Sequence, residues 1–224
     1  MGQDIRLKAS DGHEFGAYKA TPAGAPKGGI VVVQEIFGVN DHIRDVCERY
    51  AAAGYLAVAP AIYDRVESDV QLGYTPEEIT AGREIRGRCD MDDVMKDVAA
   101  ATEAAAEGGK VGIVGYCWGG QIVYVASCRL GDKLAAGSGY YGGKIVDFMH
   151  ETPTIPLMLH FGTLDASIPM EEVELIGKTH PQIVIHTYEG ADHGFNCDRR
   201  QQYHAEAAKL AQDRTLAFFA EHLG

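Results

Sequence analysis

The sequence predicts an α/β fold: a mainly parallel central sheet covered by helices on both faces, led by an N-terminal antiparallel hairpin. Three observations predict it. Short continuous apolar runs recur at 29–33, 56–59 and 111–114, as strands covered on both faces require. Stretches of helical spacing with capping residues alternate with them. The chain is 224 residues long, 46% hydrophobic and 23% charged, enough for one domain, 1–224, with a sizeable core that needs neither metal nor disulfide.

The elements follow in order. Ile5-Arg6-Leu7 and Phe15-Gly16-Ala17-Tyr18 flank Asp11-Gly12, a strong turn signal, so the chain opens with a hairpin. Residues 21–29 are rich in Pro, Gly and Ala and read as a loop. After the strand at 29–33, Asn40 or Asp41 caps a helix that carries Ile43, Val46, Cys47 and Tyr50 on one face and stops at Gly54. Residues 56–59 form the next buried strand, ended by Pro60. Residues 63–88 are polar and irregular, with a helix starting at Thr75-Pro76-Glu77-Glu78; a cap over a site and a plain surface excursion fit them equally. An alanine-rich helix covers 92–107 and closes at Gly108-Gly109. A strand at 111–114 and a helix from 121 follow. Strands are expected at 135–141, 156–161 and 182–188, and helices at 170–178 and 204–223.

The net charge is −12. Such an acidic surface argues against nucleic acid and anionic membranes as partners, without excluding a local cationic pocket. Cys47, Cys89, Cys117, Cys128 and Cys197 are scattered, with no Cys-x-x-Cys pair. That pattern fits neither a disulfide framework nor a zinc site, and reduced thiols in the cytoplasm are expected. No apolar run approaches a membrane span, the N-terminus lacks the apolar core of a signal peptide, and Arg6 spoils the lipidation pattern that Met1-Gly2 would begin.

Gly115-Tyr116-Cys117-Trp118-Gly119-Gly120 lies between a strand and a helix. Gly-x-Cys-x-Gly at such a junction is a nucleophile elbow with cysteine where serine is usual. A nucleophile on so tight a turn needs neighbours without bulk two residues to either side. The bland alternative is a glycine-rich turn holding an inert cysteine. Two later strand ends weigh against it: Gly162-Thr163-Leu164-Asp165, and Ala191-Asp192-His193-Gly194-Phe195. The chain order nucleophile, acid, histidine is that of the α/β-hydrolase plan, and ligands of such sheets bind at the carboxyl ends of the strands. His193 would activate the thiol and Asp165 would fix the imidazole tautomer. Asp192 is a rival acid, better suited to bracing its own loop. The backbone N–H groups of Trp118 and Ile36 are the candidate oxyanion donors. Glu35, at the end of the first buried strand, is either a solvated carboxylate or a second acidic group near the thiol.

These residues sit in longer segments that carry a family resemblance: Ser10 to Ala17, Gln34-Glu35-Ile36-Phe37-Gly38-Val39-Asn40, Gly54 to Pro60, Val111 to Gly120, Tyr140-Tyr141-Gly142, and Asp192-His193-Gly194-Phe195. Across essentially its whole length the chain resembles dienelactone hydrolase (carboxymethylenebutenolidase), a cysteine-using branch of the α/β-hydrolases. The resemblance implies an α/β-hydrolase fold and a Cys117, Asp165, His193 triad. It also implies that Glu35 interacts with the thiol before substrate binds, that no cofactor is needed, and that the substrate is a cyclic enol-lactone. Such enzymes hold the substrate carboxylate with two arginines. One lies four residues after the histidine, where this chain has Cys197 and, nearby, Arg199 and Arg200. The other lies before Asp90-Met91, where Arg83 and Arg86 stand. Tyr140 and Tyr141 are further candidates for the pocket wall or for the core. The expected partner is a small lactone or ester carrying a carboxylate, with no metal, and the chain is expected to be a monomer.

The thiol itself narrows the substrate. A tetrahedral intermediate expels whichever anion leaves more easily, and thiolate outcompetes an ordinary alkoxide. An enol or phenol oxyanion, stabilised by conjugation, can win. Two alternatives stand beside the enol-lactone reading: a broader aryl esterase or thioesterase, suggested by Cys197, and a non-enzymatic thiol sensor on the same fold, suggested by the four other cysteines.

Overall fold

The computed structural model describes residues 2–223. Met1 and Gly224, the ends of the expected domain, and the Met1 part of the N-terminal reading, lie outside the described residues.

One eight-stranded sheet runs in the order β1-β2-β4-β3-β5-β6-β7-β8. The hairpin is β1 (Gln3–Lys8) and β2 (Glu14–Ala20), paired antiparallel, and β2 also runs antiparallel to β4 (Leu56–Pro60). All other pairings are parallel: β3 (Gly29–Val33) with β4 and with β5 (Val111–Tyr116), then β6 (Ala136–Tyr140), β7 (Leu157–Gly162) and β8 (Val184–Tyr188). The apolar runs of β3, β4 and β5 are buried at every residue.

The helices divide between the faces. α1 (Asp41–Ala52) and α6 (Ala205–Leu223) share one face, where Tyr50 meets Phe219 with ring centroids 6.3 Å apart. The α1 cap is Asn40, whose side chain accepts from the Ile43 N–H. On the other face α3 (Met91–Ala105) packs on β3 and β4, and α4 (Trp118–Arg129) on β5 and β6. α4 is buried from Trp118 through Ser127, so its sequence is apolar on all sides. α3 begins one residue before the predicted start because Asp90 caps it, accepting from the N–H groups of Asp92 and Asp93. α5 (Met170–Thr179) joins β7 to β8.

Residues 63–88 are the segment whose composition misleads. They are polar by count, yet Tyr63 is buried and its hydroxyl donates to or bridges the carbonyls of Ile36 and Gly82 at 3.1 and 3.0 Å. The preceding short turn is anchored by Arg65, which donates two hydrogen bonds to the buried Asp97 carboxylate at 2.7 and 2.8 Å. α2 (Pro76–Gly87), opened by a Thr75/Glu78 capping box, is thereby laid against the loop that follows β3. At Gly82 an added Cβ would stand 2.3 Å from the Ile36 carbonyl oxygen. The segment is one wall of the site described next. Among the described residues no helix is long and apolar enough to cross a membrane.

Candidate active site

Cys117 occupies the apex between β5 and α4 with φ 55° and ψ −116°. This is a left-handed conformation that a non-glycine residue adopts at a cost of about 1–3 kcal/mol. Its surroundings enforce it. A Cβ at Gly115 would lie 2.2 Å from the Gly119 carbonyl oxygen, and one at Gly119 would lie 2.5 Å from that of Val33. Only glycine lets the strand, the bend and the helix approach so closely.

The turn points the sulfur at His193. Nε2 of His193 lies 3.2 Å from Sγ of Cys117, and Nδ1 lies 2.7 Å from Oδ2 of Asp165. A carboxylate only accepts, so the Nδ1 proton faces Asp165 and Nε2 faces the sulfur. Burial alone would lower the His193 pKa, but the neighbouring sulfur charge and the Asp165 carboxylate outweigh it and push the imidazole up to about 10. Burial likewise opposes ionisation of Asp165, yet hydrogen bonds from His193 and Ser167 hold its pKa below the ordinary carboxylate value. Asp192, the rival acid, accepts from the backbone N–H of His193 at 2.6 Å and so braces its own loop.

A cavity of about 310 Å³ opens over the sulfur. Ile36, Phe37, Ile79 and Trp118 supply its apolar wall, and Tyr63 stacks on Trp118 from behind at 5.4 Å. Ile36 and Trp118, the residues of the expected oxyanion donors, both reach the cavity. Trp118 is the first residue of α4, so its N–H has no partner within the helix. Four cations line the same space: Arg83, Arg86, Lys144 and Arg200. Arg83 and Lys144 make no side-chain ion pair among the described residues, and Arg86 donates only to the neutral amide of Gln121 at 3.0 Å. In a chain of net charge −12, this local excess of unpaired positive charge favours an anionic ligand.

Three expected site roles differ in the structure. Glu35 is not bonded to the thiol; its Oε1 lies 3.3 Å from Nη1 of Arg200 and its Oε2 has no partner. The sulfur has taken His193 instead, and the guanidinium has taken the carboxylate. Tyr140 and Tyr141 do not line the cavity. Tyr140 is core, its hydroxyl 2.7 Å from Thr215 Oγ1 in a buried network with His160 and Ser138. Tyr141 is fully buried, its ring set edge-on against the His193 imidazole at 5.2 Å, so it backs that imidazole rather than facing the cavity.

Other residues join the site without having been singled out. Ser167 donates to Asp165 Oδ1 from its backbone N–H at 2.9 Å and from its hydroxyl at 2.5 Å. Lys144, Phe37 and Ile79 complete the cavity walls. Arg200, read from sequence only as near the expected position, turns back into the cavity because the chain after His193 coils: the Cys197 N–H donates to Gly194 O, and the Arg200 N–H to Cys197 O. Gly194 has φ 84°, and a Cβ there would lie 2.6 Å from Arg200 Nη1. Arg199 instead pairs with Asp45 on the surface. The Asp-x-Ser spacing and the His-Gly pair were the available signals.

The sequence profile of the Dienelactone hydrolase family matches residues 15–223. Carboxymethylenebutenolidase of Pseudomonas putida is 33% identical over 230 residues, covering 98% of this chain and 97% of that one. A Synechocystis protein assigned the same name is 39% identical over 213 residues, covering 87% and 86%. A crystal structure from Klebsiella pneumoniae assigned to the dienelactone hydrolases superposes with a TM-score of 0.87 at 33% identity, over 99% of this chain and all of that one. With its α/β-hydrolase sheet and elbow, the chain belongs to the dienelactone hydrolase family and is a hydrolase of that kind.

Proposed function

We propose that this hydrolase opens an enol-lactone, a cyclic carboxylic ester, that carries a carboxylate, and does so through a thioester on Cys117. The observation that carries the reading is the Cys117–His193–Asp165 relay, at 3.2 and 2.7 Å, on the floor of a cavity ringed by Arg83, Arg86, Lys144 and Arg200.

The Cys117 sulfur attacks the lactone carbonyl while its proton resides on His193. The N–H groups of Trp118 and Ile36 receive the charge that develops on the carbonyl oxygen, where a fixed donor is worth far more than in water. Collapse of the tetrahedral intermediate breaks the ring C–O bond and releases a conjugated enolate, which takes the thiol proton from His193 and leaves Nε2 free. His193, held in one tautomer by Asp165, then takes a proton from water, and hydroxide displaces the thiolate. The substrate carboxylate lies among the cations, with Arg86 kept in place by Gln121, whose own amide donates to the Lys144 carbonyl at 3.0 Å. The apolar wall excludes water from the ring.

The test is a substrate panel on purified protein. A dienelactone carboxylate should be turned over with a kcat/KM at least tenfold above that of a neutral aryl ester of equal size, and C117A should abolish both. Equal rates on both would remove the carboxylate preference, and full activity of C117A would remove the thioester.

A further inference from the structure

Beside the reactive thiol, and not used by the proposed hydrolysis, lies a second group of metal-ligating side chains. One ligand atom each from Glu35, His42 and Cys197 falls within 4.8 Å of the others, and all three residues are buried. They come from three separate parts of the fold: the end of β3, the first turn of α1 and the coil after His193. Buried polar atoms almost always find hydrogen-bond partners. Here Nε2 of His42 and Oε2 of Glu35 have none, although His42 is 1% exposed and Glu35 also 1%. Arg200 occupies only Oε1 of Glu35, and the Cys197 thiol makes one long contact, 3.4 Å, to the Tyr74 hydroxyl.

We propose that Glu35, His42 and Cys197 bind one divalent cation of the zinc type. A thiolate, an imidazole and a carboxylate are the donor set such a borderline cation takes, whereas magnesium and calcium want oxygen alone. Binding turns the Cys197 thiol into a thiolate, whose proton leaves to solvent, and Glu35 Oε2, the oxygen that Arg200 leaves open, supplies the second anionic ligand atom. Asp198 Oδ1 lies 3.4 Å from His42 Nδ1, where a carboxylate orients a metal-bound imidazole from behind. His42 and Tyr74 both line a surface recess of about 350 Å³, which gives the ion a way in and a water or the Tyr74 hydroxyl a place as fourth ligand. Bound there, the cation would join β3, α1 and the coil carrying His193, and would stabilise the folded chain.

The experiment adds Zn²⁺, or Co²⁺ as its coloured substitute, to the apo-protein with its five thiols reduced. One equivalent should survive dialysis, raise the melting temperature, and with Co²⁺ give a thiolate-to-metal band together with tetrahedral visible absorption. X-ray absorption of the unmodified protein should show one sulfur at about 2.3 Å and lighter ligands at about 2.0–2.1 Å. C197S and H42Q should each lower the affinity at least tenfold and remove the thiolate band or the retained equivalent, while C117S should keep both. Loss in C117S with retention in C197S would place the ion on the reactive thiol and overturn the proposal. So would an absorption spectrum without sulfur, or binding lost on dialysis, an adventitious ion only. The spectrum of the unmodified protein decides the matter even if a variant fails to fold.

Discussion

Replacing Arg200 by Gln leaves the Glu35 carboxylate unpaired in the interior. The pair is 3.3 Å apart, with side chains 13% and 1% exposed. At that separation the attraction is about 5 kcal/mol for an effective dielectric near 20, and most of it offsets the desolvation of the two charges. Removing the guanidinium deletes the attraction and keeps the desolvated carboxylate, so R200Q should lose about 3–5 kcal/mol. For a chain of this size that is a fall in melting temperature of about 6–20 °C. R200Q/E35Q has no buried charge to compensate and should regain about 2–3 kcal/mol of the loss. Stacking of Arg200 over Phe37 and Tyr74, at 5.9 and 6.0 Å, is lost in both variants and cancels in the cycle. Urea unfolding read by the single tryptophan, Trp118, supplies all four free energies. A coupling within about 0.5 kcal/mol of zero would refute the claim that Arg200 compensates Glu35.

Three further outcomes follow from the same geometry. In C117A the sulfur charge that raises His193 is gone, so its titration by ¹⁵N NMR should fall from about 10 toward the ordinary histidine value. Because the folded value lies above the unfolded one, the stability contributed by protonated His193 is complete below about pH 6.5 and lost as pH rises to about 10; C117A should show much less of this loss. S167A removes the 2.5 Å hydroxyl bond to Asp165. It should slow kcat about three- to tenfold and move the acid limb of the pH profile upward, since stability held by ionised Asp165 is present above its unfolded pKa and lost as pH falls through the folded one. Y63F unpins the carbonyls of Ile36 and Gly82 and should cost about 1–3 kcal/mol of stability and lower kcat more than it raises KM; an unchanged kcat would detach Tyr63 from the Ile36 loop.

The sheet and its helices were legible because β3, β4 and β5 are covered on both faces and advertise this as unbroken apolar runs, while Asn40 and Thr75 mark helix starts by chemistry local to the chain. The elbow was legible for the same local reason: the glycine spacing is a steric demand of the turn. What sequence could not give depends on contacts between distant segments. Tyr63 counts toward a polar excursion until Ile36 and Gly82 offer it two carbonyls. Arg200 looks displaced until the coil after Gly194 returns it to Glu35, and that pairing explains why the thiol faces His193 alone. Tyr140 and Tyr141 sit at a strand end, where wall and core look alike in sequence; Thr215, far along the chain, decides for Tyr140.

The most direct test of the thioester route is intact-protein mass spectrometry after rapid acid quench during turnover of a slow aryl ester. The added mass should equal one acyl group, map to the peptide containing Cys117, and decay at the rate of turnover. Turnover that proceeds with the acyl group on another residue, or with C117A as active as the parent, would contradict it.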